Sequence, residues 1–307
     1  MNESKQEKIA FLFTFIGYSI FGFSFLFSKQ ALEFTSPFVL LAVRFTVSFL
    51  LLNGLVLTGK FTLQLKGKKI KNLLILGLFQ PIFYFIFENF GVKILATSFV
   101  GSTLALIPIV SLLLSVWVLG ESASRSKLFF AVFSIIGVII TTIQQPMEHF
   151  RIDGFLLILG AVFSASMFNV LSRRASRAFG VIERTYVMFG LGAMLFSTIA
   201  FIEVQNTGLD LVAIPFAAIE FWISILFLSA VSSVGAFLLI NYGVTYLETA
   251  KTAIFANVTT VISILAGVFL LKETFGIYQL IGSSIILISV YGVNRPAKKF
   301  ALQKNTH

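Results

Sequence analysis

The sequence predicts an all-α integral membrane protein with ten transmembrane helices laid out as two inverted five-helix repeats. Three observations carry this prediction. Of 307 residues 57% are apolar and only 12% charged, with 37 Phe and a mean hydropathy of +0.96, whereas a soluble domain carries roughly 25% charged residues. The apolar residues fall in runs of about 20, the length at which a helix spans a roughly 30 Å hydrocarbon layer. Finally, a stretch of 33 residues recurs 152 positions further along the chain.

The first run, 9–28, follows a polar lead with Lys5 and Lys8. It is long for a signal-peptide core and no small-x-small cleavage site closes it, so it reads as an uncleaved first helix. Runs 38–58, 70–90, 97–119 and 127–144 follow, then 153–172, 181–203, 220–242, 250–271 and 276–293. Backbone groups in lipid must find partners within their own segment, so each run is expected to be helical. The chain divides into a first five-helix unit, 1–144, and a second, 153–307, which ends in a polar tail.

Charge placement orients the spans. With the N-terminus inside, 17 of the 23 lysines and arginines lie in inner segments, and only Lys29, Lys93, Arg151 and Lys272 lie in outer loops. Basic residues concentrate on the cytoplasmic side, so both termini are expected there, in a multi-pass protein of the cell (plasma) membrane. The net charge of +10 belongs to these short flanking segments, which argues against nucleic acid as a partner. The cluster Lys66, Lys68, Lys69, Lys71 is a topology signal with some attraction to anionic membrane lipid. Cysteine is absent and the two histidines, His149 and His307, lie outside the spans. That leaves no thiolate or imidazole site for metal or nucleophilic catalysis. Glycine patterns fall inside apolar runs, so no phosphate loop is expected, and Glu88 is the one acid read as buried within a span, the others in the runs lying at or near their ends. No enzyme activity and no cofactor are expected.

The repeat pairs 89–121 with 241–273, without gaps and with ten of 33 positions identical. Both copies open on N-[FY]-G-V (Asn89, Asn241) and close on Glu (Glu121, Glu273). Because each half holds five spans, an odd number, the halves enter the membrane from opposite sides. Inverted repeats of this kind recur in secondary transporters, with the substrate site near the midplane between them.

These residues resemble the drug/metabolite transporter superfamily, of the EamA type with ten helices. In the first unit the resemblance rests on Ser36-Pro37, Arg44-Phe45, Pro108 through Leu119-Gly120-Glu121, and Gly137. In the second it rests on Leu247-Glu248, Leu271-Lys272-Glu273, Gly282 and Gly292. The chain departs from the pattern at Thr260, where the ninth span usually has proline. The resemblance implies export of amino acids, metabolites or toxic compounds, and one fold of this kind hosts many cargoes.

Intramembrane polar residues face a cavity or a partner, and they nominate the substrate site. Arg44 lies about six residues inside the second span and Glu88 near the outer end of the third. Either Arg44 receives a carboxylate or other anionic group with Glu88 accepting a proton or cation, or Arg44 snorkels outward or pairs with Glu88 to tie two helices. Gln80, Tyr84 and Glu88 recur at intervals of four, which places them on one helix face, and Pro81 is expected to kink the helix at its midpoint. Pro108 marks the middle of the fourth span with Thr103 five residues outward; Thr260 is its repeat partner, with Asn257 on the same face. Tyr18, Asn169 and Tyr186 are single polar residues best explained by one helix–helix hydrogen bond each, Tyr18 being kept as a site candidate. Asn89 and Asn241 are read as turn or cap residues, and Glu121 and Glu273 as partners of loop amides or basic side chains.

The expected function is secondary transport: export of small metabolites, amino acids or drug-like compounds by alternating access, with protons as the coupling ion. The alternative is a non-transporting membrane scaffold or receptor component. The inverted repeat favours the carrier, since a scaffold has no need of two inverted halves. Oligomeric state leaves no mark in the sequence.

Overall fold

The computed structural model describes residues 3–59, 63–65, 68, 70–120, 124–143, 151–175, 178–246 and 249–294. Lys60, Lys66, Lys69, Glu121, His149, Leu247, Glu248, the tail beyond Asn294 and the Asn241 side chain lie outside the described residues. Among the described residues the chain is helical, with no strand.

Helix α1 (Glu3–Leu32) leads through a short turn to α2 (Pro37–Leu57). Ser36 caps α2, its Oγ accepting from Val39 N, and Pro37 supplies the fixed φ suited to a first helical position. The third apolar run is interrupted. It comprises α3 (Lys71–Gly77), a wider π-helical segment (Leu78–Phe83) and α4 (Tyr84–Ile94). Gln80 there is extended (φ −147°, ψ 119°); a residue preceding proline is disfavoured in the α region, so Pro81 sets the break. The fourth run is divided too, into α5 (Thr97–Leu104) and α6 (Ile107–Leu119), with Pro108 in the first turn of α6.

Helices α7 (Arg125–Ile143), α8 (Ile152–Ala175) and α9 (Val181–Thr207) occupy the next three runs. A short helix, α10 (Asp210–Ala217), fills what the sequence presents as a loop. The eighth run repeats the pattern of the third: α11 (Ile219–Leu226), a second π-helical segment (Phe227–Ala236) and α12 (Phe237–Tyr246). Helices α13 (Thr249–Leu270) and α14 (Ile277–Asn294) follow. With threonine at 260, α13 runs unbroken where its counterpart is divided.

Among the described residues seven helical segments are long and apolar enough to cross a membrane, and Asn257–Leu270 and Ile277–Gly292 are shorter apolar helices. Large apolar side chains point outward all round: Trp117 is 81% exposed and Phe269 74%. Water would not tolerate such a surface, but hydrocarbon does.

The helices pack in pairs drawn from distant parts of the chain. α2 lies along α9, α7 along α14 and α5 along α13. α1 rests on α12, α13 and the second π segment, and α8 rests on α4, α6 and the first. At the α7–α14 crossing the backbones touch: a Cβ on Gly137 would lie 2.8 Å from Gly282 O, and one on Gly282 2.5 Å from Gly137 O. These two glycines are required by close helix approach.

Candidate functional site

Arg44 is 2% exposed and does not snorkel. Its Nε donates to Ser233 Oγ (3.2 Å) on the second π segment, and its guanidinium lies 4.6 Å from the centroid of the Phe85 ring, a cation–π contact. Ser48 and Ser229 donate to the Arg44 carbonyl at 2.8 and 3.0 Å. The serines at 229 and 233 therefore fasten both the backbone and the side chain of Arg44 to the distant half of the chain.

Glu88, 1% exposed, faces the same region. Arg44, Tyr84 and Glu88 lie within electrostatic reach of one another. The ion pairs among the described residues are Lys68–Glu183 and Arg151–Asp153, so Arg44 and Glu88 do not form a direct salt bridge. The carboxylate is held instead by Asn89, whose Nδ2 donates to Glu88 Oε2 (2.6 Å) and to Phe85 O (2.9 Å). Asn89, read from sequence as a turn residue, is thus a partner of the acid. Its adjacency to Glu88 and its burial within an apolar run were the signals that could have revealed it.

Gln80, Tyr84 and Glu88 do not share one helix face, contrary to their spacing. Tyr84 and Glu88 do, one turn apart in α4, but the extended Gln80 and the π segment take Gln80 out of helical register. The expected kink at Pro81 is present as this break.

The remaining candidates lie elsewhere. Thr103 is buried in α5 and bonds back to Phe99 O (3.0 Å). Thr260 donates across to Gly101 O (3.3 Å), joining α13 to α5. Pro108 begins α6, and Asn257 is half-buried on α13. Tyr18 packs with Ala10, Tyr242, Phe255 and Val258, and its carbonyl accepts from Thr259 Oγ1 (2.9 Å). The structure therefore gathers Arg44, Tyr84 and Glu88, keeps Thr103 bonded within α5, and leaves Thr260, Asn257 and Tyr18 on α13 or in contact with it. Tyr186 bonds Asn53 and Asn169 bonds Ser111, the single helix–helix hydrogen bonds expected of them. Lys68 pairs with Glu183 (2.8 Å), at the start of α9.

A buried guanidinium and a buried carboxylate, with a half-buried phenol beside them, form a polar cluster inside an all-helical, apolar bundle. The model of the EamA-like transporter family matches residues 8–143 and again 152–295, and the chain belongs to that family. It is 32% identical to the uncharacterized transporter YcxC of Bacillus subtilis (strain 168), over 94% of each chain. It is 25% identical to an uncharacterized transporter of Archaeoglobus fulgidus, over 90% of this chain and 95% of the relative. A crystal structure with 18% identity shares its fold, with a TM-score of 0.65 over 92% of this chain and 95% of that one. The protein is a multi-pass membrane transporter of small molecules, not an enzyme.

Proposed function

We propose that this transporter exports small metabolites, amino acids or drug-like compounds across the cell membrane by alternating access. Ten helices cross the bilayer as two inverted repeats, 1–144 and 153–307, with both termini cytoplasmic. The observation that carries this reading is the placement of the two π segments. Shifting Leu78–Phe83 by the 152-residue repeat offset gives 230–235, inside Phe227–Ala236. Interrupted helices at corresponding positions of two halves mark the substrate site of inverted-repeat carriers. The way α8 lies on α4 and α6 while α1 lies on α12 and α13 supports the same two-fold relation.

Substrate binds at Arg44, Tyr84 and Glu88, with Gln80 at the helix break. The other positions nominated by sequence, Thr103, Pro108, Asn257, Thr260 and Tyr18, line or shape the path. Glu88 exchanges the coupling proton.

Counterflow in proteoliposomes tests this whatever ion drives net transport. A panel of amino acids, nucleosides, sugars, organic anions and cationic drugs is expected to yield one saturable class. Arg44→Gln is expected to lower its initial rate by about tenfold or more, the loss of a buried charge-assisted contact. Arg44→Lys is expected not to restore it, because a lysine does not reproduce the guanidinium that both contacts the Phe85 ring and donates from Nε to Ser233. Net export driven by a pH gradient is expected to disappear in Glu88→Gln while counterflow persists. Full rates in a folded Arg44→Gln preparation would move the site elsewhere.

A further inference from the structure

One face of the bundle gathers the ends of α1, α4, α9 and α13. Thr35 donates to Leu211 O and Ser36 to Glu203, tying the α1–α2 turn to α10 and α9. Leu95 and Ala96 join α4 to α5 in extended backbone, presenting terminal carbonyls of one helix and the first amides of the next. Both sets are gripped from elsewhere. Lys29 Nζ donates to Leu95 O (2.6 Å). Glu273, in the connection between α13 and α14, accepts from Thr97 N (2.6 Å) and Ser98 N (2.9 Å). A cation thus sits at a helix C-terminus and an anion at a helix N-terminus, the favourable pairing with each helix dipole.

Beneath this grip α5 lies flush against α13 and α14. Ser102 and Ser283 hydroxyls meet at 2.8 Å, Gln279 Nε2 donates to Ser98 Oγ, and a Cβ on Gly101 would collide with Ser263 Oγ. α6, the continuation of α5 beyond the Pro108 break, does not follow. Among the described residues it packs on α8, without the close packing along α13 that α5 has. The fourth and ninth apolar runs therefore meet at one face and part toward the other.

The geometry points to Glu273 as a latch: its carboxylate, seated on the first two amides of α5, holds one face of the transporter shut, and its release accompanies opening of that face. This rests on the alternating-access reading. Glu273 comes from the second half of the chain and α5 from the first, so the bond lies across the boundary that must part. Where α5 meets α13 and α14 the other bonds are neutral hydroxyl and amide ones of lower strength, and on the same face the Ser36–Glu203 bond is a second contact between the halves that a carboxylate accepts.

The chain has no cysteine, so reporter pairs can be introduced directly. Spin labels at Lys93→Cys and Asp210→Cys, both exposed on this face in opposite halves, report its opening in lipid nanodiscs without substrate. Glu273→Gln is expected to enrich a longer-distance population about tenfold, with Glu273→Asp intermediate. Thr97→Pro is the independent variant: it deletes one donor at a first helical position that accepts proline, after an Ala96 already extended. It is expected to shift the same population. Parental distances in either variant, with helix content and elution unchanged, would overturn the latch. Such a result with counterflow intact would reject the latch alone, whereas absent counterflow with shifted distances would reject the transport reading alone.

Discussion

Lys272 holds a positive φ of 54°, the left-handed region that costs a residue with a Cβ about 1 kcal/mol. The 152-residue offset equates it with Gly120, which closes α6 at φ 68°. Gly120 and Lys272 thus hold the same left-handed backbone, one as glycine and one as lysine. In the lysine copy the turn brings Glu273 back beneath α13, its N–H bonding Gly267 O. Lys272→Gly is expected to stabilise the protein by up to about 1 kcal/mol, part of the relief being offset by the freer unfolded glycine. A thermal-unfolding series in detergent measures this, and a lowered midpoint would contradict it. At this scale the sequence exposed Arg44 and Glu88 because charge is rare in an apolar run. It concealed Asn89 and the serines at 229 and 233, since hydroxyls and amides are common at helix contacts and only the fold reveals which one meets a charge.

Helix positions were legible because each apolar run announces its length. The interruptions were legible in proportion to their cause. Pro81 foretold a break, whereas the second π segment has no proline, and two of its serines, Ser229 and Ser233, meet Arg44. The spacing of Gln80, Tyr84 and Glu88 misled because a periodicity of four presumes a continuous helix, which Pro81 denies. Helix α10 escaped because eight residues give too short a pattern. The α7–α14 contact rests on Gly137 and Gly282 with no side chain between the backbones. Gly282→Leu must therefore separate the helices, and is expected to cost roughly 1–3 kcal/mol or more. Loss of the monodisperse elution peak and a lower unfolding midpoint are the readouts; wild-type behaviour would show that the helices separate freely.

Across the whole molecule, charge bias assigns orientation, and the absence of cysteine makes the assignment directly testable. A membrane-impermeant maleimide applied to intact cells is expected to label Lys93→Cys and Asp210→Cys but not Thr58→Cys or Ser124→Cys, all at exposed positions. The reverse pattern would invert the protein in the membrane. The hydroxyls between α5 and α13 carry a consequence of their own. Ser102 already donates to Ser98 O and Ser263 to Thr260 O, each within its own helix. When the helices separate, those two serines keep a carbonyl to bond in a medium that offers no water, whereas Thr260 gives up Gly101 O. The seam behaves like a zip with some self-contained teeth: the two serines add little resistance to opening, and the bonds of Thr260 and Gln279 between helices add more. A carboxylate accepts and never donates, and has no such fallback. Glu273 thereby adds a charged share to the resistance where α5 meets α13, and its exchange resets the balance between the two states.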